Sequence, residues 1–258
     1  MSMAKHRRLT AEPHTVVFVL PRQPACATIG QTMTTQRSAL LVGATGLVGG
    51  LVLDRLLADP VYESVTVLVR RPIGRRAERL VERIVDFDRL ADTPLEPASD
   101  VYLCLGTTIA AAGTRQRFRK VDHDYAIELA QRAHDQGASS VGLVSSVGAS
   151  PEASSFYLRV KGETERDLCA IGYRSVDLFR PSLLVGRRRE QRRAEAVGIA
   201  VMSGIAWAMV GAWKRYRPIP ASAVAGSMVR AVRRGEPGVR IHHYDQMVAV
   251  DGGADSGP

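Results

Sequence analysis

From residue 38 onward, short runs of valine, leucine and alanine alternate with longer segments whose apolar residues recur at helical spacing. Runs too short for a helix, bounded by turn residues, read as strands buried on both faces. Their alternation with helical patterns is the signature of βαβ units and a parallel sheet. The spacing predicts strands at 39–42, 64–69, 83–86, 100–105, 140–145 and 175–179, and a short final strand at 239–242. Helices are predicted over 47–58, 121–134, about 156–170, and 221–233, with Ile127, Ala130 and Ala133 on one face of the second. The rhythm breaks between 180 and 220, and that segment is expected to face the substrate, because the earlier units have already committed their loops. Residues 1–37 are irregular, with prolines at 13, 21 and 24, and read as a loosely ordered extension; 251–258 reads as a flexible tail. One domain over 38–250 is therefore expected.

The sequence Gly43-Ala44-Thr45-Gly46-Leu47-Val48-Gly49 follows the first predicted strand directly and opens the first predicted helix. Glycines at this spacing permit a tight turn, let backbone N–H groups approach a pyrophosphate and allow close packing of helix on strand. The helix N-terminus then favours the phosphate charge. The candidate contacts are Gly43, Thr45, Gly46, Leu47 and Val48. In this context the fold class is α/β, a Rossmann-type doubly wound parallel sheet with a small C-terminal substrate lobe. The second strand ends in Arg70-Arg71-Pro72, where an NAD-binding chain offers an acidic residue to the ribose hydroxyls. Arginine suits a 2′-phosphate instead, so NADP(H) is expected in preference to NAD(H). Asp86 and Phe87, after the third strand, stand where they could edge the adenine. Leu105, Gly106 and Thr107, after the fourth, stand where a dinucleotide would cross the sheet.

Two serines, Ser145 and Ser146, end the fifth predicted strand, and Tyr157 precedes Lys161 by one helical turn. Residues four apart share a helix face. A lysine ammonium beside the phenol favours the phenolate, so that the tyrosine can exchange a proton, while a serine hydroxyl bonds the oxygen of a reacting carbonyl. Ser146 is favoured over Ser145 because it immediately precedes the Val147-Gly148 turn.

These motifs, with Leu105-Gly106-Thr107-Thr108, Val121-Asp122-His123-Asp124-Tyr125, Tyr157-Leu158-Arg159-Val160-Lys161-Gly162-Glu163 and Phe179-Arg180-Pro181-Ser182, resemble the short-chain dehydrogenase/reductase superfamily. The likeness is to its atypical members, the group of the HIV Tat-interacting oxidoreductase-like protein and its bacterial relatives, and spans about 38–247. The resemblance implies NADP(H) on a Rossmann domain, Ser146 and Tyr157 around a small-molecule substrate, Lys161 on the nicotinamide ribose, Pro181 near the nicotinamide, and pairing of two copies through helices flanking the sheet. Ordinary members carry an asparagine on the preceding helix; Asp122 occupies that region here. The expected activity is NADPH-dependent reduction of a carbonyl or quinone-like molecule. The alternative is an NADP(H)-binding regulatory or scaffold protein with little turnover.

Composition narrows the partners. The 258 residues are 45% hydrophobic and 24% charged, enough for one large domain. A net charge of +9 invites nucleic acid, but the arginines are scattered, with one dense run at 187–193 and no interleaved aromatic residues, so a basic chain serving an anionic cofactor is expected. Cys26, Cys104 and Cys169 lack metal or redox spacing, so no metal is expected and a reducing, cytoplasmic location is. The uncharged stretch 196–213, diluted by glycine and alanine, reads as a buried helix lining a pocket or one resting weakly on a membrane surface, rather than as a span.

Overall fold

The computed structural model describes residues 36–186 and 216–249. Residues 1–35 of the extension, residues 187–215 of the substrate-facing segment, with the arginine run and the apolar stretch, and the tail lie outside the described residues. Among those described, no helix is long and apolar enough to cross a membrane.

Each expected strand is present. In chain order they are β1 (Arg37–Val42), β2 (Tyr62–Val69), β3 (Leu80–Ile84), β4 (Asp100–Leu103), β5 (Ser140–Val144) and β6 (Ser175–Phe179), then two short strands, β7 (Leu184–Val185) and β8 (Ile219–Pro220), and finally β9 (Gly238–His242). β7 and β8 form a separate two-stranded parallel pair; the other strands form one seven-stranded sheet in the order β3-β2-β1-β4-β5-β6-β9. All six pairings within it are parallel. The order reverses between β1 and β4, so the crossovers leave in opposite directions and a crevice opens at the carboxyl ends of those two strands.

Alternation along the strands builds two cores. On one face Leu41, Val67, Tyr102 and Phe179 meet α1 (Leu47–Ala58) and α6 (Ala221–Arg234), which contribute Val52, Leu56, Val224 and Met228. On the other, Leu40, Leu68, Leu103 and Leu143 meet α4 (Tyr125–Asp135) and α5 (Phe156–Ala170) through Leu129, Ala133 and Leu168. Each such side chain, fully buried, contributes about 1.5–3 kcal/mol.

The structure departs from the sequence reading at several points. β3 runs over 80–84 rather than 83–86, because it lies at the edge of the sheet, where its half-buried positions carry little apolar signal; Asp86 instead caps a 3₁₀ turn, Phe87–Asp92, by accepting from the Asp88 N–H. The crossover from β4 holds two short helices that the periodicity missed, α2 (Ile109–Ala112) and α3 (Arg115–Arg119), each N-capped by a threonine, Thr108 or Thr114. α3 passes into α4 through a π-helical segment, Lys120–Asp124, so the predicted 121–134 helix is continuous but locally unwound at its start. A last helix, α7 (Tyr244–Val248), follows β9.

Candidate active site

The glycine loop joins β1 to α1 at the crevice. Gly43 has φ +84°, and a Cβ there would lie 2.2 Å from the Cys104 carbonyl oxygen on β4's extension; a Cβ on Gly49 would lie 2.1 Å from the Gly43 carbonyl oxygen. Only glycine lets these backbones approach so closely. The Gly46 N–H closes the turn onto the Gly43 carbonyl at 2.9 Å, and Gly46, as N-cap of α1, offers no side chain to the helix. The N–H groups of Leu47 and Val48 therefore have neither an intrahelical acceptor nor a cap, a donor set matched to an anion. Thr45 and Gly46 are exposed. A dinucleotide pyrophosphate fits this turn by donor chemistry, and the glycines keep the turn tight enough to present those donors.

Arg70 and Arg71 follow β2 immediately and are exposed. Three other arginines of the same region are committed, Arg75 to Asp54, Arg79 to the carbonyls of Leu57, Asp59 and Tyr62, and Arg83 to Glu96, while Arg76 is exposed. Among the described residues, Arg70 and Arg71 take no such partner. Asp86 and Phe87 follow β3 at the same end of the sheet, but Phe87 is buried, with its ring 5.4 Å from that of Tyr125. Leu105, Gly106 and Thr107 follow β4, and the Thr107 N–H donates to Asp122 Oδ2 at 2.9 Å.

Past β5, the Ser145 N–H donates to the Phe179 carbonyl and the Val147 N–H to the carbonyl of buried Pro181, at 2.7 and 2.9 Å, so both serines are held against the end of β6. Ser145 is buried, and its hydroxyl finds no partner; Ser146 is half-buried, its hydroxyl 3.5 Å from the Val147 carbonyl oxygen. Tyr157, in the first turn of α5, is half-buried with its ring 5.5 Å from that of Phe118. One turn on, Lys161 is buried; its ammonium lies 2.8 Å from Asp122 Oδ1 and donates to the Val144 carbonyl at 3.3 Å. Burial, the largest single effect, works against the lysine's charge, but the Asp122 carboxylate, Tyr157 and Glu165 together outweigh it and hold the ammonium above its ordinary range. Asp122 is itself buried, within the π-helical segment.

The predicted residues thus collect at the carboxyl ends of β1, β2, β3, β4 and β5 and the start of α5. What the sequence did not reveal is the Asp122–Lys161 pair, since no spacing rule links two residues on different helices, and the packing of Phe118 on Tyr157. The unwound turn that presents Asp122 has no signature in periodicity.

The family model for the NAD-dependent epimerase/dehydratase family matches residues 39–248. A protein from Aspergillus clavatus named Fmp52, mitochondrial, is 34% identical over 199 residues, covering 74% of this chain and 85% of its own. The protein of the same name from Candida albicans is 30% identical over 223 residues, covering 83% and 95%. Among solved structures, the UDP-N-acetylglucosamine 4-epimerase of Methanobrevibacter ruminantium superposes with a TM-score of 0.62 at 16% identity, covering 81% of this chain and 76% of its own, a likeness of fold. The relatives are named as mitochondrial proteins, and this overturns the cytoplasmic location expected from the cysteines. Unpaired thiols argue only against an oxidising compartment and do not distinguish among reducing ones.

Proposed function

The chain belongs to the NAD-dependent epimerase/dehydratase family of NAD(P)-binding Rossmann proteins, and from that premise we propose that it is an NADPH-dependent reductase of a carbonyl or quinone-like small molecule. The observation that carries this reading is the convergence, at the carboxyl ends of the central strands, of an uncapped glycine-cradled helix N-terminus with Tyr157 and a buried, charged Lys161 on one face of α5. NADPH, when bound, supplies the hydride. The residues of the chain do the rest. The N–H groups of Leu47 and Val48 hold the pyrophosphate, and the Lys161 ammonium meets the nicotinamide ribose with the hydrogen left over from its two protein partners. Ser146 donates a hydrogen bond to the acceptor oxygen, and the Tyr157 hydroxyl gives that oxygen its proton.

The family's description specifies NAD, whereas Arg70 and Arg71 favour the phosphorylated form. An exposed guanidinium with no carboxylate partner can bond a 2′-phosphate bidentately, a contact worth about 10- to 100-fold in affinity. NADPH oxidation followed against a panel of aldehydes, ketones and quinones tests both points. At least one acceptor should be reduced, and Arg70→Ala should lower kcat/KM for NADPH by about 10-fold or more while leaving that for NADH nearly unchanged. Nucleotide binding without oxidation across the whole panel would overturn the reductase reading. An equal loss with both nucleotides would overturn the role of Arg70.

A further inference from the structure

Asp122 has both carboxylate oxygens committed, and to two different elements. Oδ1 faces the Lys161 ammonium on α5 at 2.8 Å, and Oδ2 accepts from the Thr107 N–H in the loop after β4 at 2.9 Å. Its backbone carbonyl also lies 3.2 Å from the Thr164 hydroxyl of α5, whose single hydrogen is shared with the nearer Val160 carbonyl at 2.8 Å. The π-helical turn is what allows this: a regular helix from α3 into α4 would rotate residue 122 relative to both partners. The exposures of Asp122 and Lys161 are 2% and 4%, so neither charge is supported by water.

The charge of Lys161 then depends on what surrounds it. A buried ammonium without an anion loses its proton more easily than a free one. From its own helix Lys161 is faced by Tyr157 and Glu165; from β4's extension by Cys104; from the π-helical turn by Asp122. Glu165 is engaged by Arg180, whose Nε lies 2.9 Å from its Oε1. Burial pushes the Cys104 thiol up to about 12, so it stays neutral. The counter-charge in contact with Lys161 is therefore Asp122.

We infer that Asp122 is a positioning residue for the cofactor: its carboxylate keeps the Lys161 ammonium available to the nicotinamide ribose and locks the 105–107 loop to that lysine, so the dinucleotide is gripped from both sides of the crevice irrespective of alkaline pH. The inference rests on the reading that NADPH meets Lys161.

The test is NADPH affinity, measured by calorimetry at about pH 6.5 and about pH 9, for the wild-type chain and for Asp122→Asn. The amide oxygen can still accept from Thr107 but cannot hold a buried charge. Wild-type affinity should change little between the two pH values, whereas the variant should bind about 10-fold more weakly at the higher one, the loss of one charge-assisted hydrogen bond. A variant that follows the wild type at both pH values overturns the inference. Absence of NADPH binding by the wild type overturns the preceding functional reading instead, and this one with it. A readout on the wild-type chain guards against a variant that does not fold. The side-chain carbon resonance of Lys161, assigned by its disappearance in Lys161→Arg, should keep its ammonium position up to the free-lysine midpoint of about pH 10.4; a midpoint below that overturns the inference.

Discussion

Tyr157→Phe should lower NADPH-dependent reduction of an accepted substrate by about 10²- to 10⁴-fold, the contribution of a positioned general acid, with NADPH affinity unchanged. The substitution removes one oxygen and keeps the ring, and the ring is what packs against Phe118 at 5.5 Å. Among the described residues the Tyr157 hydroxyl makes no hydrogen bond that the substitution would remove, so the folded structure should be undisturbed. The loss should fall on kcat, because the proton is delivered in the step that develops charge on the acceptor oxygen. Steady-state kinetics beside a nucleotide titration separate the outcomes. Full turnover in the variant would show that the proton comes from elsewhere, and a parallel loss of NADPH binding would mean that the hydroxyl serves the cofactor.

The second large effect is on stability and lies at the opposite end of the sheet, where the central strands begin. Asp100, at the start of β4, is fully buried and accepts hydrogen bonds from Arg37 Nε at 2.8 Å and from the Tyr62 hydroxyl at 2.7 Å, and that hydroxyl lies 2.7 Å from the Tyr102 hydroxyl. Tyr62 and Tyr102 are also fully buried, and burial pushes both phenols above their usual range, so they remain neutral partners. Asp100→Ala would strand two hydroxyls and a half-buried guanidinium among β1, β2 and β4 together. Removing one partner from a buried pair costs about 3–5 kcal/mol, and at about 2–4 °C per kcal/mol for a domain of this size the melting temperature should fall by roughly 10 °C. Urea denaturation of Asp100→Ala measures it. Tyr62→Phe, which leaves the Arg37–Asp100 pair in place, should cost only about 1–2 kcal/mol. Equal losses in both variants would mean that the network acts through the tyrosines rather than through the carboxylate.

These two sites show unequally well in the sequence, for physical reasons. The strands of the central sheet were legible because they are buried on both faces and so consist of nearly continuous apolar runs such as Val65-Thr66-Val67-Leu68-Val69. The glycine loop was legible because glycines 43 and 49 answer to backbone contacts that exclude a Cβ. Local chemistry of this kind writes itself into adjacent residues. Asp100 gave no such signal: a carboxylate at the head of an apolar strand looks like a solvated turn residue until Arg37 and Tyr62 arrive from two other strands. Arg37 itself was assigned to the extension, although it is the first residue of β1 and half of that ion pair. In the same way Asp122 needed Lys161 and Thr107, and the edge strand β3 was displaced because one-sided burial leaves a weak pattern. Side chains whose partners are distant in sequence carry no periodic mark.

The central claim is that this chain holds NADP(H) on the Gly43–Gly49 cradle with its 2′-phosphate on the arginines after β2. Calorimetric titration of the wild-type protein with NADPH and, separately, with NADH tests it most directly. One nucleotide should bind per chain, with NADPH held about 10-fold or more tightly than NADH. NADH bound as tightly as NADPH, or neither nucleotide bound, would contradict it.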